Sequence, residues 1–510
     1  MIRLRFAPSP TGFVHIGSLR TVLFNYLITK NLNGKLILRI EDTDQKRTIE
    51  GAQENLINIL NWLGITFDEG PHIGGEFAPY IQSERRNIYE KWLEKLLEID
   101  GAYHCFCTPE RLEKMRTDQQ SKKLPPRYDR CCRDLSPQDC RQKLENGEKF
   151  VIRQKMPREG SVVVNDELRG EIIFHADDLD DQVLIKSDGM PTYQFANVID
   201  DHEMEITHVV RGDEWLSSFP KNILLYQTFG WTPPKYIHIP LVLDIKGGKL
   251  SKRTGDVAVE EYKAKGYLPE ALINFCVLMG WHPSQNQIDS LTTEIEKEEK
   301  KTSEIFSLEK LEKIFNYTEI GTSPAIFDTE KLDYLNGYYI RQKSLDELFD
   351  LAKPFLEKYW LEKKSENFFQ KSLKNKGKDF IKKVIRLEQE RLKKLSEIGE
   401  LTELFFVDNL IYESSLLLWK KVTTEQAKNN LETILELLEK IPEENWTNDS
   451  IEEGIIDYLK IKELKIGEYL WPMRVALTGR QASPSPFDVA EVLGREESLK
   501  RIKNGVLKLN

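Results

Sequence analysis

The chain has 510 residues, 31% of them charged and 40% hydrophobic, with a formal net charge of −10. Its longest apolar stretches, such as Ala271 to Trp281, are too short to span a bilayer, and Arg3 and Arg5 break the apolar start a signal peptide needs. A large cytoplasmic globular protein of several domains is therefore expected, and the acidic balance does not exclude a nucleic-acid partner, because docking follows local potential. Ile2 to Phe6 reads as a strand stopped by Pro8, Pro10 and Gly12, after which Ile16 to Leu27 carries apolar residues at helical spacing. His15 and the amides of Ile16 to Ser18 then sit at a helix N-terminus, which favours a phosphate, and Gly17 lets a ligand approach the backbone. Lys35 to Ile40 follows as a second apolar strand and Glu50 to Leu63 as an amphipathic helix, so residues 1–104 read as the first half of a nucleotide-binding α/β unit. No Gly-x-Gly-x-x-Gly accompanies it, which argues against a dinucleotide.

Five of the six cysteines lie between Cys105 and Cys140, which in an intracellular protein argues for a metal before a disulfide. Residues 105–191 interrupt the α/β pattern with this cluster and a strand-rich stretch, Phe150 to Ile185. The pattern resumes over 192–260 and ends at Lys249-Leu250-Ser251-Lys252-Arg253 beside Gly247 and Gly248. Two lysines three positions apart suit a loop that folds over a triphosphate, where ammonium groups meet developing charge. Beyond Tyr262 the periodicity is almost wholly helical, giving a mainly helical connecting region over 261–335 and helical domains over 336–510. Ser344-x-x-Glu347, Thr423-x-x-Gln426 and Ser450-x-x-Glu453 each match a capping box. The segment 285–303 is rich in charge and reads as a solvated insertion. Between Lys371 and Lys394 ten basic residues face three acidic ones, a candidate RNA-facing surface.

Taken together, Arg5-Phe-Ala7-Pro-Ser9-Pro-Thr-Gly-Phe-Val-His15-Ile-Gly17-Ser18, Leu38-Arg-Ile-Glu41-Asp-Thr-Asp44, Asp188-Gly-Met-Pro-Thr-Tyr193, Thr207-His-Val-Val-Arg211-Gly-Asp-Glu214-Trp215 and the lysine loop resemble the class I aminoacyl-tRNA synthetases, and more narrowly the bacterial-type glutamyl-tRNA synthetases. The family's His-Ile-Gly-His and Lys-Met-Ser-Lys-Ser motifs stand here as His-Ile-Gly-Ser and Lys-Leu-Ser-Lys-Arg. The resemblance covers nearly the whole chain. It implies a Rossmann-like α/β catalytic domain split by an α+β insertion that holds the acceptor end of tRNA, followed by an all-α anticodon-binding region.

It also implies an activity: ATP and Mg²⁺ activate L-glutamate as an adenylate, which passes to the terminal adenosine of tRNA(Glu). His15, Lys249 and Lys252 would be catalytic, and Gly17, Glu214 and Trp215 would join them around ATP. Arg5, Ala7, Ser9, Glu41, Tyr193, Asn197 and Arg211 would hold glutamate, with Arg5 at the α-carboxylate, Glu41 at the ammonium and Arg211 opposite the γ-carboxylate. Planar bidentate pairing suits arginine to that task. The competing reading of Arg211 is an ion pair with Asp213 or Glu214. Cys105, Cys107 and Cys132 resemble a zinc site of some members, completed by Asp134 or by Tyr128. Arg391 matches an anticodon-reading arginine of members that reject tRNA(Gln), and the resemblance leaves open whether tRNA(Gln) is also charged. A monomer is the family expectation. A glutamyl-queuosine tRNA(Asp) synthetase lacks such a helical tail, a glutaminyl enzyme is disfavoured by Arg211, and a non-catalytic RNA-binding paralogue predicts eroded ATP motifs.

Overall fold

A computed structural model describes residues 1–248, 250, 258–291, 304–364 and 368–510, arranged in two compact units, Met1–Lys263 with Pro269–Leu332 and Ala264–Leu268 with Asp333–Asn510. In the first unit, β1 (Arg3–Phe6) leads through the Pro-rich turn to the helix Ile16–Asn31 and back to β2 (Lys35–Leu38). Leu4, Leu36, Ile37 and Leu38 are almost completely buried, as expected for parallel strands covered on both faces. The helix Ala52–Trp62 lies within the expected span from Glu50 to Leu63.

The central sheet has the order β2-β1-β8-β9-β5-β6, with β8 at His208–Gly212, β9 at Lys235–Ile239, β5 at Ser161–Asp166 and β6 at Gly170–His175. All neighbours run parallel except the β5-β6 hairpin. The hairpin lies inside the stretch read from sequence as an insertion, yet its first strand adds to β9 through Asp166 opposite Tyr236. Alternation explains its two faces: Val162 and Val164 are buried while Val163 is exposed. The rest of that stretch builds a separate antiparallel sheet from β3 (Ala102–Cys105), β4 (Val151–Gln154) and β7 (Val183–Ile185), in the order β3-β4-β7. A short parallel pair joins β10 (Val242–Leu243), which comes just before the lysine loop in the sequence, to β11 (Ala325–Ile326), which comes well after it.

The second unit is helical, and no strand follows Ile326 among the described residues. Its helices Leu345–Lys363, Phe368–Gln389, Thr424–Glu439, Asn448–Ile461, Ile466–Thr478, Pro486–Leu493 and Arg495–Lys508 bury Leu356, Trp360, Ile381, Ile385, Leu431 and Ile455 in one core. Two of the three expected capping boxes form, Ser344 with Glu347 and Thr423 with Gln426. The third does not: the helix begins at Asn448 with Thr447 as its cap, whose hydroxyl accepts from the Ser450 amide, so Ser450 already lies inside the first turn. Of the segment 285–303, Gln285–Leu291 is a short helix and 292–303 lie outside the described residues. No helix among the described residues is long and apolar enough to cross a membrane.

Candidate active site

The order β2-β1-β8 makes β1 the strand at which the sheet reverses direction of growth, and open α/β sheets hold ligands beyond the carboxyl ends of their strands at such a point. A cavity of about 1040 Å³ opens there, walled by residues at or just beyond the carboxyl ends of β1, β2, β8 and β9. Phe6, Ala7 and Ser9 come from the first, Glu41 and Asp42 from the second, Gly212, Glu214 and Trp215 from the third, and Pro240 from the fourth.

At one end, His15 caps the helix Ile16–Asn31: its Nδ1 accepts from the Gly17 amide at 3.0 Å, which leaves the proton of a neutral ring on Nε2 as a donor. A side chain at Gly17 would bring its Cβ to 3.3 Å from that Nδ1, so glycine protects the cap as well as the approach of a ligand. Lys249 and Lys252 lie outside the described residues. Their neighbours are placed: Leu250 lines the cavity and its amide donates to the Val242 carbonyl at 3.4 Å, while Ala258 pairs with His15 and Val259 donates to the Val14 carbonyl at 2.9 Å. Arg20, which sequence reasoning passed over, ties this end together by donating to the carbonyls of Pro240 and Met279.

The other end is built on buried charge. Arg39 pairs with Glu41 at 2.9 Å and with Asp201 at 2.8 Å, Arg5 pairs with Asp201 at 2.9 Å, and Arg85 pairs with Asp200 at 2.7 Å, all with side chains at most 4% exposed. Glu41 Oε1 accepts from Arg39 and, at 3.0 Å, from Asn197, whereas its buried Oε2 has no partner. Burial lifts the Glu41 carboxyl above its ordinary pKa, opposed by Arg39 and Arg5, so the carboxylate gains from a further cation at Oε2. Tyr193 lines the cavity and packs on Trp215 with ring centroids 4.6 Å apart. Asn197 sits behind Glu41 and does not wall the cavity itself.

Arg211, at the end of β8, walls the same cavity. Its Nε donates to His238 Nε2 at 2.9 Å, the rings of Tyr236 and Phe219 lie 5.0 and 6.0 Å from its Cζ, and its buried Nη1 has no partner. The suggested ion pair with Asp213 or Glu214 does not form, since Asp213 pairs with Arg169 at 3.2 Å. A Cβ at Gly212 would fall 1.9 Å from Glu214 Oε2, so any larger residue there would make the Glu214 carboxylate turn aside. The cavity thus holds two unspent buried groups of opposite sign, Glu41 Oε2 and Arg211 Nη1.

The cysteine cluster gathers Cys105, Cys107 and Cys132 close enough to share one ion. Asp134, expected as a fourth ligand, turns away: both its oxygens lie 2.6 Å from Arg158 Nη2 in an exposed ion pair. Tyr128 supplies the alternative, with its hydroxyl 3.2 Å from Cys105 Sγ and 3.4 Å from Cys107 Sγ, and Cys107 and Cys132 sulfurs are 3.6 Å apart. A tetrahedral zinc bound at ~2.3 Å to sulfur and ~2.0 Å to oxygen needs edges of about 3.8 Å between sulfurs and about 3.5 Å from sulfur to oxygen, so these residues fit the ion. The Cys105 thiol is pushed up to about 12 by its hydrogen bond with Cys132 and by burial, and a nearby cation would reverse that. Cys131, not singled out from sequence, stands 3.3 Å from Cys107 and 3.7 Å from Cys132 but outside the group of three.

In the second unit, the basic run occupies the helix Phe368–Gln389 and the turn after it. Asp346 engages Lys378 and Lys382. Arg391 binds Glu388 at 2.6 Å and donates to the Ala482 carbonyl at 3.3 Å, which holds its guanidinium in place.

Comparison with known proteins agrees along the whole chain. Residues 1–334 match the family model described as "tRNA synthetases class I (E and Q), catalytic domain", and residues 341–506 match "Anticodon binding domain". The glutamate--tRNA ligase of Clostridium botulinum (strain Hall) is 46% identical, covering 100% of this chain and 98% of the relative. That of Clostridium tetani is 45% identical over the same shares. Among solved structures, the crystal structure of a glutamate tRNA ligase from Elizabethkingia meningosepticum in complex with its amino acid aligns with a TM-score of 0.84 and 34% identity over 100% of both chains. The glutamate-tRNA synthetase of Elizabethkingia anophelis aligns with a TM-score of 0.84 over 99% of both.

Proposed function

Since the chain belongs to the class I tRNA synthetase family for glutamate and glutamine, we propose that it ligates L-glutamate to tRNA(Glu) through a glutamyl-adenylate. The observation that carries the choice of amino acid is the pair of unspent charges in one cavity, Glu41 Oε2 for an ammonium and Arg211 Nη1 for a side-chain carboxylate. Arg5, held at 2.9 Å by Asp201, faces the α-carboxylate, and Ala7 and Ser9 form the wall beside it. MgATP enters beside the helix N-terminus, where His15 donates to a phosphate oxygen, Gly17 leaves room, and Glu214 and Trp215 wall the site. The α-carboxylate attacks the α-phosphorus, and Lys249 and Lys252 stabilise the departing pyrophosphate. Here the protein supplies position and charge, with no covalent step of its own.

Aminoacylation of purified tRNA(Glu) with labelled glutamate tests the reading directly: esterified glutamate is expected, and acceptance of glutamine in preference would overturn it. A parallel reaction with tRNA(Gln) reads whether the Arg391 region excludes that tRNA.

Zinc at Cys105, Cys107, Cys132 and Tyr128 is structural in this reading, fixing β3 against the turn that carries Tyr128 and Cys132. Elemental analysis of protein purified without chelator is expected to find one zinc per chain. Cys105→Ser should lose it, Tyr128→Phe should weaken its retention, and Cys131→Ala should keep it. Loss of zinc in Cys131→Ala would move the fourth ligand from Tyr128 to Cys131.

A further inference from the structure

We propose that Asp166 and His238 form a positioning relay that holds Arg211 with a free guanidinium nitrogen toward the amino-acid cavity, and so sets the preference for a carboxylate side chain over an amide. This rests on the reading of Arg211 as the partner of the γ-carboxylate. The chain of contacts starts at the end of β5, where Asp166 meets only donors. Its Oδ1 accepts from the amides of Leu168 and Arg169 at 3.0 Å each, and its Oδ2 accepts from the His238 amide at 3.0 Å. The same Oδ2 lies 2.7 Å from His238 Nδ1.

A carboxylate can only accept, so the imidazole proton sits on Nδ1 and the Nε2 lone pair faces outward. That lone pair accepts from Arg211 Nε at 2.9 Å. A doubly protonated ring would set an N–H of His238 against an N–H of Arg211 and two cations side by side, so the contact selects the neutral imidazole. Burial holds the His238 pKa below its ordinary value, with Asp166 opposing and Arg211 assisting.

Position follows from this arrangement. One guanidinium edge is spent on a neutral acceptor, the faces lie near Tyr236 and Phe219, and Nη1 is left buried and unpaired beside the cavity. A carboxylate partner in place of His238 would spend the charge inside the protein. A neutral acceptor orients the group and leaves its charge for the substrate. The contrast with Arg5, whose edge is spent on Asp201, is direct.

A plain core histidine linking β5 to β9 would look similar, and kinetics separate the two. His238→Phe removes the acceptor and keeps the bulk, and is expected to raise KM for glutamate by about 10- to 100-fold with kcat and KM for ATP nearly unchanged. His238→Gln, whose amide oxygen can accept from Arg211, should recover most of the loss. In Asp166→Asn an amide nitrogen replaces an acceptor, which drives the histidine proton to Nε2 against Arg211, so KM for glutamate should rise there too. A glutamate KM unchanged in both His238→Phe and Asp166→Asn overturns the relay, as does a parallel loss for ATP or a failure of Gln to rescue. Arg211→Cys separates the underlying reading: retained glutamate preference in that variant overturns the pocket assignment, whereas its loss alongside a wild-type H238F overturns the relay alone.

Discussion

Arg211→Cys is expected to shift the ratio of kcat/KM for glutamate to that for glutamine by roughly 100-fold or more toward glutamine. Arg211 is 5% exposed and follows three buried residues of its strand, so a γ-carboxylate reaching it has left water behind. Without the guanidinium that carboxylate stays desolvated and unpaired, at a cost of about 3 to 5 kcal/mol. Glutamine brings a neutral amide and loses only hydrogen bonds. Steady-state aminoacylation with each amino acid measures the ratio. A ratio at the wild-type value would place γ-carboxylate recognition on Arg5 or another cation.

Lys252→Ala is expected to slow adenylate formation by at least about 100-fold while leaving tRNA affinity nearly unchanged. Lys252 lies outside the described residues, and Leu250, two positions before it in the sequence, lines the cavity. On the far side, Ala258 is paired to His15, the residue that caps the helix Ile16–Asn31. In the proposed reading its ammonium acts on charge that develops at the leaving pyrophosphate, and single-turnover activation in the presence of tRNA reads that separately from binding. Wild-type single-turnover rates in this variant would remove Lys252 from the chemistry.

Where local physics decides the structure, the sequence was enough. Pro8, Pro10 and Gly12 end a buried strand, and His15 can cap because its ring reaches the Gly17 amide two residues on. Ser344 and Thr423 announce their helices for the same reason. What escaped notice depends on partners remote in the chain. The alternation of Val162, Val163 and Val164 marks a half-buried strand but not the sheet it joins, which is settled by contact with β9 about 70 residues later. Asp166 and His238 are 72 positions apart, and nothing near either one shows that they share a proton. Asp134 matches the family's fourth ligand position, yet Arg158 claims it, whereas the Tyr128 hydroxyl comes to 3.2 Å from Cys105 Sγ. The adjacent pair Cys131-Cys132 was a visible signal that one of the two would be left over.

The buried charges differ in how they could change over generations. Arg5, Arg39, Arg85, Glu41, Asp200 and Asp201 are bound to one another, so neutralising any of them strands an opposite charge in the interior, a loss that commonly reaches 3 to 5 kcal/mol. Most variants at such positions would fall below the margin needed to stay folded. Arg211 leans on a neutral ring instead, and removing it orphans no carboxylate. Its loss leaves the buried His238 Nε2 without a donor, at about 1 to 3 kcal/mol, less than a stranded charge costs, so drift can explore that position more readily. A lineage with this framework has a route to a new amino-acid preference through a single codon, with the rest of the pocket inherited intact.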